Sequence, residues 1–190
     1  MYILGIDEAG RGPLAGPLAI GFVRAPDGFD FLGAFSGLND SKQLSEKSRE
    51  VIFALLEGCG EVAYRVEWIE ASEIDAHGLT ASIGAAVARG VRALMQPEEG
   101  KVYLDGSLKA PAEYVQETVI GGDALIPAIM IASVAAKVLR DRKMVELAEK
   151  YPGYGFEKHK GYGTKMHYEA LKLLGPCDEH RRLFLRKLSK

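Results

Sequence analysis

A chain of 190 residues that is 47% apolar and 26% charged is long enough for one well-buried domain and too apolar for intrinsic disorder. Its formal net charge is 24 minus 26, or −2, which as a total argues against a polyanionic partner, and with no run of 18 uninterrupted apolar residues no membrane-spanning helix is expected. The start of the chain has carboxylates at Asp7 and Glu8 and no leading basic run, unlike a signal peptide, and Cys59 and Cys177 are too few for a disulfide framework and lie at no metal spacing, so a reducing, cytoplasmic compartment is expected.

Residues 2–7 read as a buried strand ending in a carboxylate, and residues 18–24 as a second one. The Gly/Pro-rich stretch between them is loop material, which suggests an antiparallel pair. A helix is expected over 45–56, with Ser45 as its cap and Val51, Ile52, Leu55 and Leu56 as its apolar stripe. Residues 61–67 alternate like a half-buried strand. Thr80 can cap a helix carrying Ile83, Val87, Val91 and Leu94, with Pro97 as the stop. Residues 101–105 form a strand that again ends in an acid, Asp105, and 115–120 form a shorter one. A long helix is expected over 127–150, ended by Tyr151-Pro152. A Gly/Tyr/His-rich loop follows over 153–163, then a helix capped by Thr164 to about 174, and a short basic helix over 179–188. Alternating strands and helices after an initial hairpin point to an α/β domain, a mixed sheet flanked by helices. Residues 1–150 would form the catalytic part, and 151–190 a small helical extension completing the same structural unit.

The charge is unevenly spread. Residues 1–129 hold 10 Lys/Arg and 19 Asp/Glu, net −9, whereas residues 130–190 hold 14 and 7, net +7. An acidic part can hold divalent cations and a basic face can hold phosphates. Asp7 follows Ile6 and Asp105 follows Leu104, so both acids sit directly on apolar strand runs, where a carboxylate needs a cation, a donor or water. Asp123 lies just before the long helix. Oxygen ligands at several points of the chain suit Mg²⁺ or Mn²⁺. Taken singly, Asp7 also reads as a turn cap and Asp123 as a helix-start residue. The four histidines, His77, His159, His167 and His180, have no zinc spacing. Lys137, Arg140 and Asp141 share a helix face and read as an exposed ion-pair network, while Met144 and Leu147 read as core.

The motifs together are more specific. Gly5-Ile6-Asp7-Glu8-Ala9-Gly10-Arg11-Gly12 with Pro13-Leu14-Ala15-Gly16, Asn39-Asp40-Ser41-Lys42, Leu104-Asp105-Gly106, Gly122-Asp123, the stretch from Ala132 through Lys137 to Arg140-Asp141-Arg142, the stretch from Tyr151 to Thr164, and His180-Arg181 occur in one order along nearly the whole chain. This order closely resembles bacterial ribonuclease HII. The resemblance implies a ribonuclease-H-like fold and an endonuclease acting on the RNA strand of RNA–DNA hybrids. It also implies cutting 5′ of single ribonucleotides embedded in duplex DNA. It assigns metal binding to Asp7, Glu8, Asp105 and Asp123, with two divalent ions taking part. It assigns reading of the ribose 2′-hydroxyl and the adjacent phosphate to Gly10, Arg11 and Gly12, and stacking to Tyr162. Without it, Gly10 to Gly12 also read as a hairpin turn and Tyr162 as a core aromatic. Lys42, Arg181 and Arg182 are candidates for phosphate contacts. The chain departs from the family at Ala124-Leu125-Ile126, where a polar or basic segment is usual, and at Leu183, where a serine is frequent. The tail has no segment resembling a sliding-clamp peptide, and a monomer is expected.

Overall fold

The computed structural model describes residues 1–38 and 44–186. β1 (Tyr2–Ala9) and β2 (Leu18–Pro26) pair antiparallel from Tyr2 opposite Pro26 to Ala9 opposite Ala19. β3 (Ala63–Ile69) continues the antiparallel run on the outer side of β2. On the other side of β1, β4 (Gly100–Asp105) and then β5 (Val115–Val119) add in parallel, so the order is β3-β2-β1-β4-β5. The sheet is mixed, as the alternation of elements required.

Successive side chains of a strand point to opposite faces. Leu4 and Ile6 of β1 join Leu18, Ile20 and Phe22 on one face, under Ile83, Val87 and Val91 of α4 (Leu79–Leu94). Val23 and Ala25 face the other way, toward Ile52, Phe53 and Leu56 of α2 (Glu46–Gly58) and Ala128, Ile131 and Ala135 of α5 (Pro127–Lys150). α5 has Pro127 in its first turn and stops at Tyr151, ahead of Pro152, as expected from the way proline bounds helices at either end. It lies unusually low on the sheet. A Cβ on Gly5 would stand 2.2 Å from the Ala128 carbonyl carbon, and one on Gly21 2.1 Å from the Ala132 carbonyl oxygen.

The rest of the chain packs on the far half of α5. Met144 and Leu147, both buried as expected, meet Tyr154, Phe156 and Ala170 from α6 (Phe156–His159) and α7 (Lys165–Leu174), together with Ala15 from the β1–β2 loop. Thr164 caps α7 by accepting from the His167 N–H, and Ser45 caps α2 by accepting from the Ser48 N–H.

Some boundaries differ from the sequence expectation. The N-cap of α4 is Gly78, at φ 80°, so Thr80 lies inside the first turn and caps nothing. β3 begins at Ala63 because the Val62 N–H still closes a turn onto the Cys59 carbonyl. The basic segment expected to be helical over 179–188 is helical only in α8 (Arg182–Leu185) within the described residues. His180 and Arg181 are held extended and buried against the β1–β2 loop, with His180 bridging Ala15, so a helix can start only after them. Two one-turn helices, α1 (Phe31–Ala34) and α6, and the seven-residue α3 (Ala71–His77) escape the periodicity, being too short to show a stripe.

The seat of α5 gives a stability test. Gly5→Ala drives a methyl into main-chain atoms that cannot rotate away, so the urea midpoint should drop by the equivalent of about 3 kcal/mol or more, beyond ordinary overpacking. Gly58→Ala, whose added methyl meets nothing within 4 Å at the end of α2, should leave stability unchanged or raise it by up to about 1 kcal/mol. Equal midpoints for Gly5→Ala and the parent would mean that α5 can lift off the sheet without penalty.

Candidate active site

The parallel pairing of β1 and β4 sets Ile6 beside Leu104. Asp7 and Asp105, the next residues, therefore emerge at the same end of adjacent strands. Asp7 shares the α5-facing side of β1 with Gly5, and there it meets the Ser133 hydroxyl on α5 as a hydrogen-bond partner. Its Oδ1 also accepts the Glu8 N–H at 2.7 Å. At 6% exposure the carboxyl is buried, and burial pushes it up to about 7. The Ser133 and Glu8 donors oppose that shift, while the charges of Glu8 and Asp105 add to it. Burial also raises Glu8, against the pull of the Arg11 guanidinium 3.1 Å from its Oε1, and the charge of Asp105 again adds. Asp105 Oδ1 accepts the Gly122 N–H at 2.7 Å, which clamps the turn Gly122–Ala124, and with it Asp123, beside the end of β4.

Three of the four acids thus share one electrostatic field, and the fourth sits on the turn bonded to Asp105. Among the described residues no three ligand-type side chains converge closely enough to enclose an ion unaided. The donors are carboxylate oxygens that repel one another in a partly buried setting. That set fits a hard divalent cation that completes its shell with water, as Mg²⁺ does.

The loop from Gly10 to Pro17 is held by buried arginines. Arg181 is 0% exposed and does not face a ligand phosphate, so the expected phosphate contact is corrected. Its guanidinium donates to the carbonyls of Gly10 (2.7 Å), Arg11 (3.0 Å) and Gly16 (2.9 and 3.1 Å). Burial, and then the charge of Arg140, push it below the usual arginine value. Arg140 is also 0% exposed and does not belong to an exposed ion-pair network. It donates from Nε to the Pro17 carbonyl at 2.9 Å and from Nη2 to the Lys160 carbonyl at 3.0 Å. Asp141 is buried too, paired with Lys137 at 2.8 Å and 4.0 Å from Arg49. Two of the fourteen basic residues of the C-terminal third therefore serve the interior.

Gly10 and Gly12 are glycine for different reasons. A Cβ on Gly10, at φ +91°, would stand 1.9 Å from Arg140 Nε. A Cβ on exposed Gly12 would meet nothing within 4 Å, and no positive φ requires glycine there. Arg11 is exposed, bonded to Glu8 and, at 3.4 Å, to Ser107 Oγ. Tyr162 is 44% exposed, so it is not a core aromatic, and its ring centre lies 5.9 Å from the Arg140 guanidinium. The two loops touch directly, since the Leu14 N–H donates to the Gly161 carbonyl at 2.8 Å. Lys42 lies outside the described residues. Ser133 is the site residue that sequence reading missed. Its position seven residues before Arg140 places it about two turns earlier on the face of α5 that meets β1 and its loop.

The ribonuclease HII family model matches residues 4–187. The chain is 46% identical over 185 residues to the ribonuclease HII of Endomicrobium trichonymphae, covering 96% of this chain and 84% of that protein. It is 45% identical over 188 residues to that of Halorhodospira halophila, covering 96% and 91%. Among solved structures it is similar to the ribonuclease H2 of Pyrococcus horikoshii OT3, with a TM-score of 0.79 and 27% identity over 99% of this chain and 97% of that one.

The raised Asp7 carboxyl predicts a pH-dependent stability. Unfolded, Asp7 loses its proton near 3.8; folded, it keeps it to about 7. Between those values the unfolded state binds fewer protons, so this group's effect is to lower native stability as pH rises from about 4 to 7. In chelator, Asp7→Asn should raise the melting temperature at pH 8 by on the order of several degrees and leave it nearly unchanged at pH 4. A melting temperature at pH 8 equal to or below the parent's would show that Asp7 is not held against its charge.

Proposed function

Because the chain belongs to the ribonuclease HII family, metal-dependent nucleases that cleave the RNA of RNA–DNA hybrids, we propose that it also cuts on the 5′ side of single ribonucleotides embedded in duplex DNA. The products are a 3′-hydroxyl and a 5′-phosphate, and the catalysis uses two divalent ions. The observation that carries this reading is the meeting of Asp7, Glu8 and Asp105 at one strand end, a few residues from a loop with an open glycine flank.

Two Mg²⁺ or Mn²⁺ ions held by Asp7, Glu8, Asp105 and Asp123 would activate the attacking water and neutralise charge at phosphorus and on the leaving oxygen. The chain's own groups do the rest. Ser133 and the Glu8 N–H orient Asp7, and the Gly122 N–H orients Asp105. The 2′-hydroxyl is a recognition handle on this reading, since it alone marks a ribonucleotide in a DNA strand. The open side of Gly12 lets a ribose approach the main chain. Arg11, exposed and within reach of the acids, can exchange its Glu8 contact for a bidentate phosphate contact. Tyr162 offers a half-exposed ring face to the sugar.

The direct test is cleavage of a duplex with one embedded ribonucleotide, with and without Mg²⁺ or Mn²⁺, beside an all-DNA control. Cleavage only of the ribonucleotide duplex, only with metal, and lost in folded Asp7→Asn and Asp105→Asn, is expected; full activity in either variant would remove the metal-site assignment. The two glycines separate recognition from folding. Gly12→Ala should keep the parent's stability yet reduce cleavage of the lone-ribonucleotide duplex at least tenfold, a loss of about 1.4 kcal/mol. Gly10→Ala should lower stability itself. Unchanged cleavage by Gly12→Ala would mean that no ligand comes close to that flank.

A further inference from the structure

We propose that His167 and His180 are positioning residues that fix the attitude of Tyr162 through a hydrogen-bond line whose direction is set by the main chain. The proposal rests on the reading of Tyr162 as a ribose-contacting residue for its functional consequence, though not for its geometry.

The line begins at Cys177. Its N–H donates to His180 Nδ1 at 3.0 Å, and its Sγ lies 3.2 Å from the same nitrogen. An amide can only donate, so His180 Nδ1 carries the lone pair and Nε2 carries the hydrogen. That hydrogen points at His167 Nε2, 3.0 Å away, which must accept. His167 therefore carries its hydrogen on Nδ1 and donates it to the Tyr162 carbonyl at 2.9 Å. All four nitrogens of two fully buried rings are used, and each bond has one permitted polarity. A third histidine holds the chain just ahead of Tyr162. His159 Nδ1 accepts the Gly161 N–H at 3.2 Å, and its ring stacks on His167 with centroids 4.4 Å apart.

Apolar side chains would fill this space without the desolvation penalty of two imidazoles. What the imidazoles add is direction at one carbonyl, that of the residue whose ring is presented to solvent. Both rings are neutral at pH 7, as the line requires: burial lowers both, His180 to about 4, with the neighbouring His167, Arg182 and His159 adding for His180. The next residue, Arg181, binds the carbonyls of Gly10, Arg11 and Gly16. One dipeptide thus reaches both elements that would read the ribose.

The test compares His167→Leu, which removes the donor to Tyr162, with His167→Asn, whose amide nitrogen replaces Nδ1. Both variants lose the His180 partner, so their difference isolates the Tyr162 bond. Amide exchange at Tyr162 and Thr164 should rise about tenfold or more in His167→Leu and return close to the parent in His167→Asn, with β1 unaffected. On the lone-ribonucleotide duplex, Tyr162→Ala should reduce kcat/KM roughly 5- to 150-fold in the parent and hardly at all in a His167→Leu background, the non-additivity of residues acting as a unit. Unchanged exchange in His167→Leu, or full additivity of the two losses, overturns the proposal. If Tyr162→Ala alone has no effect, the reading of Tyr162 fails and the exchange result decides the hydrogen-bond line by itself. Should His167→Leu not fold, nitrogen-15 NMR of the parent decides: hydrogens on His180 Nε2 and His167 Nδ1 support the line, and the opposite tautomers overturn it.

Discussion

With no side chain at Gly5 or Gly21, α5 lies against the main chain of β1 and β2 instead of riding on a layer of side chains. The positions of the functional groups follow from that approach. Gly5 and Asp7 share a face of β1, so a helix low enough to touch one is low enough to hydrogen-bond the other through Ser133. About two turns further on, the same helix carries Arg140 beneath the loop that leaves β1, where Gly10 alone leaves room for it. Strand end, helix and loop are thereby held in one rigid relation.

The loop has few partners of its own. Rich in glycine and proline, it cannot satisfy its carbonyls through a ladder, and buried carbonyls need donors. Two arginines supply them. Arg181 gathers three carbonyls with one planar fork, and Arg140 ties Pro17 to Lys160. A lysine could not span these acceptors in one geometry. Neutral acceptors leave each guanidinium's charge in place, so a positive field stands behind the loop.

Much of this was legible in the sequence, and what was not has a physical cause. The hairpin, the apolar strands that carry Asp7 and Asp105, and the bounds of α5 follow from apolar runs met by acids and prolines, which are local signals, although β1 continues past Asp7 to Ala9. The charge of Arg181 reads as surface in a basic tail, because sequence shows charge and not depth. Its burial depends on a loop about 170 residues earlier. Arg140 misleads similarly, since its spacing to Lys137 and Asp141 fits an exposed ion pair equally well. The histidines read as scattered because the seven residues between His159 and His167 contain a loop reversal that stacks their rings. Thr80 has the chemistry of a cap, but Gly78 takes the backbone angle that starts the helix earlier.

The interval between Asp7 and Gly10 has a further consequence. Three residues span at most about 10 Å, and both ends are anchored, one in the sheet and the other by Arg181. The carboxylate end and the Gly10–Gly12 loop are joined by a covalent spacer too short and too well fixed to stretch. On the proposed reading, the offset between the recognised sugar and the bond that breaks is a length written into one strand. No closing of one domain on another is needed to set it, so the enzyme measures its cut as a caliper does, with both jaws on one arm.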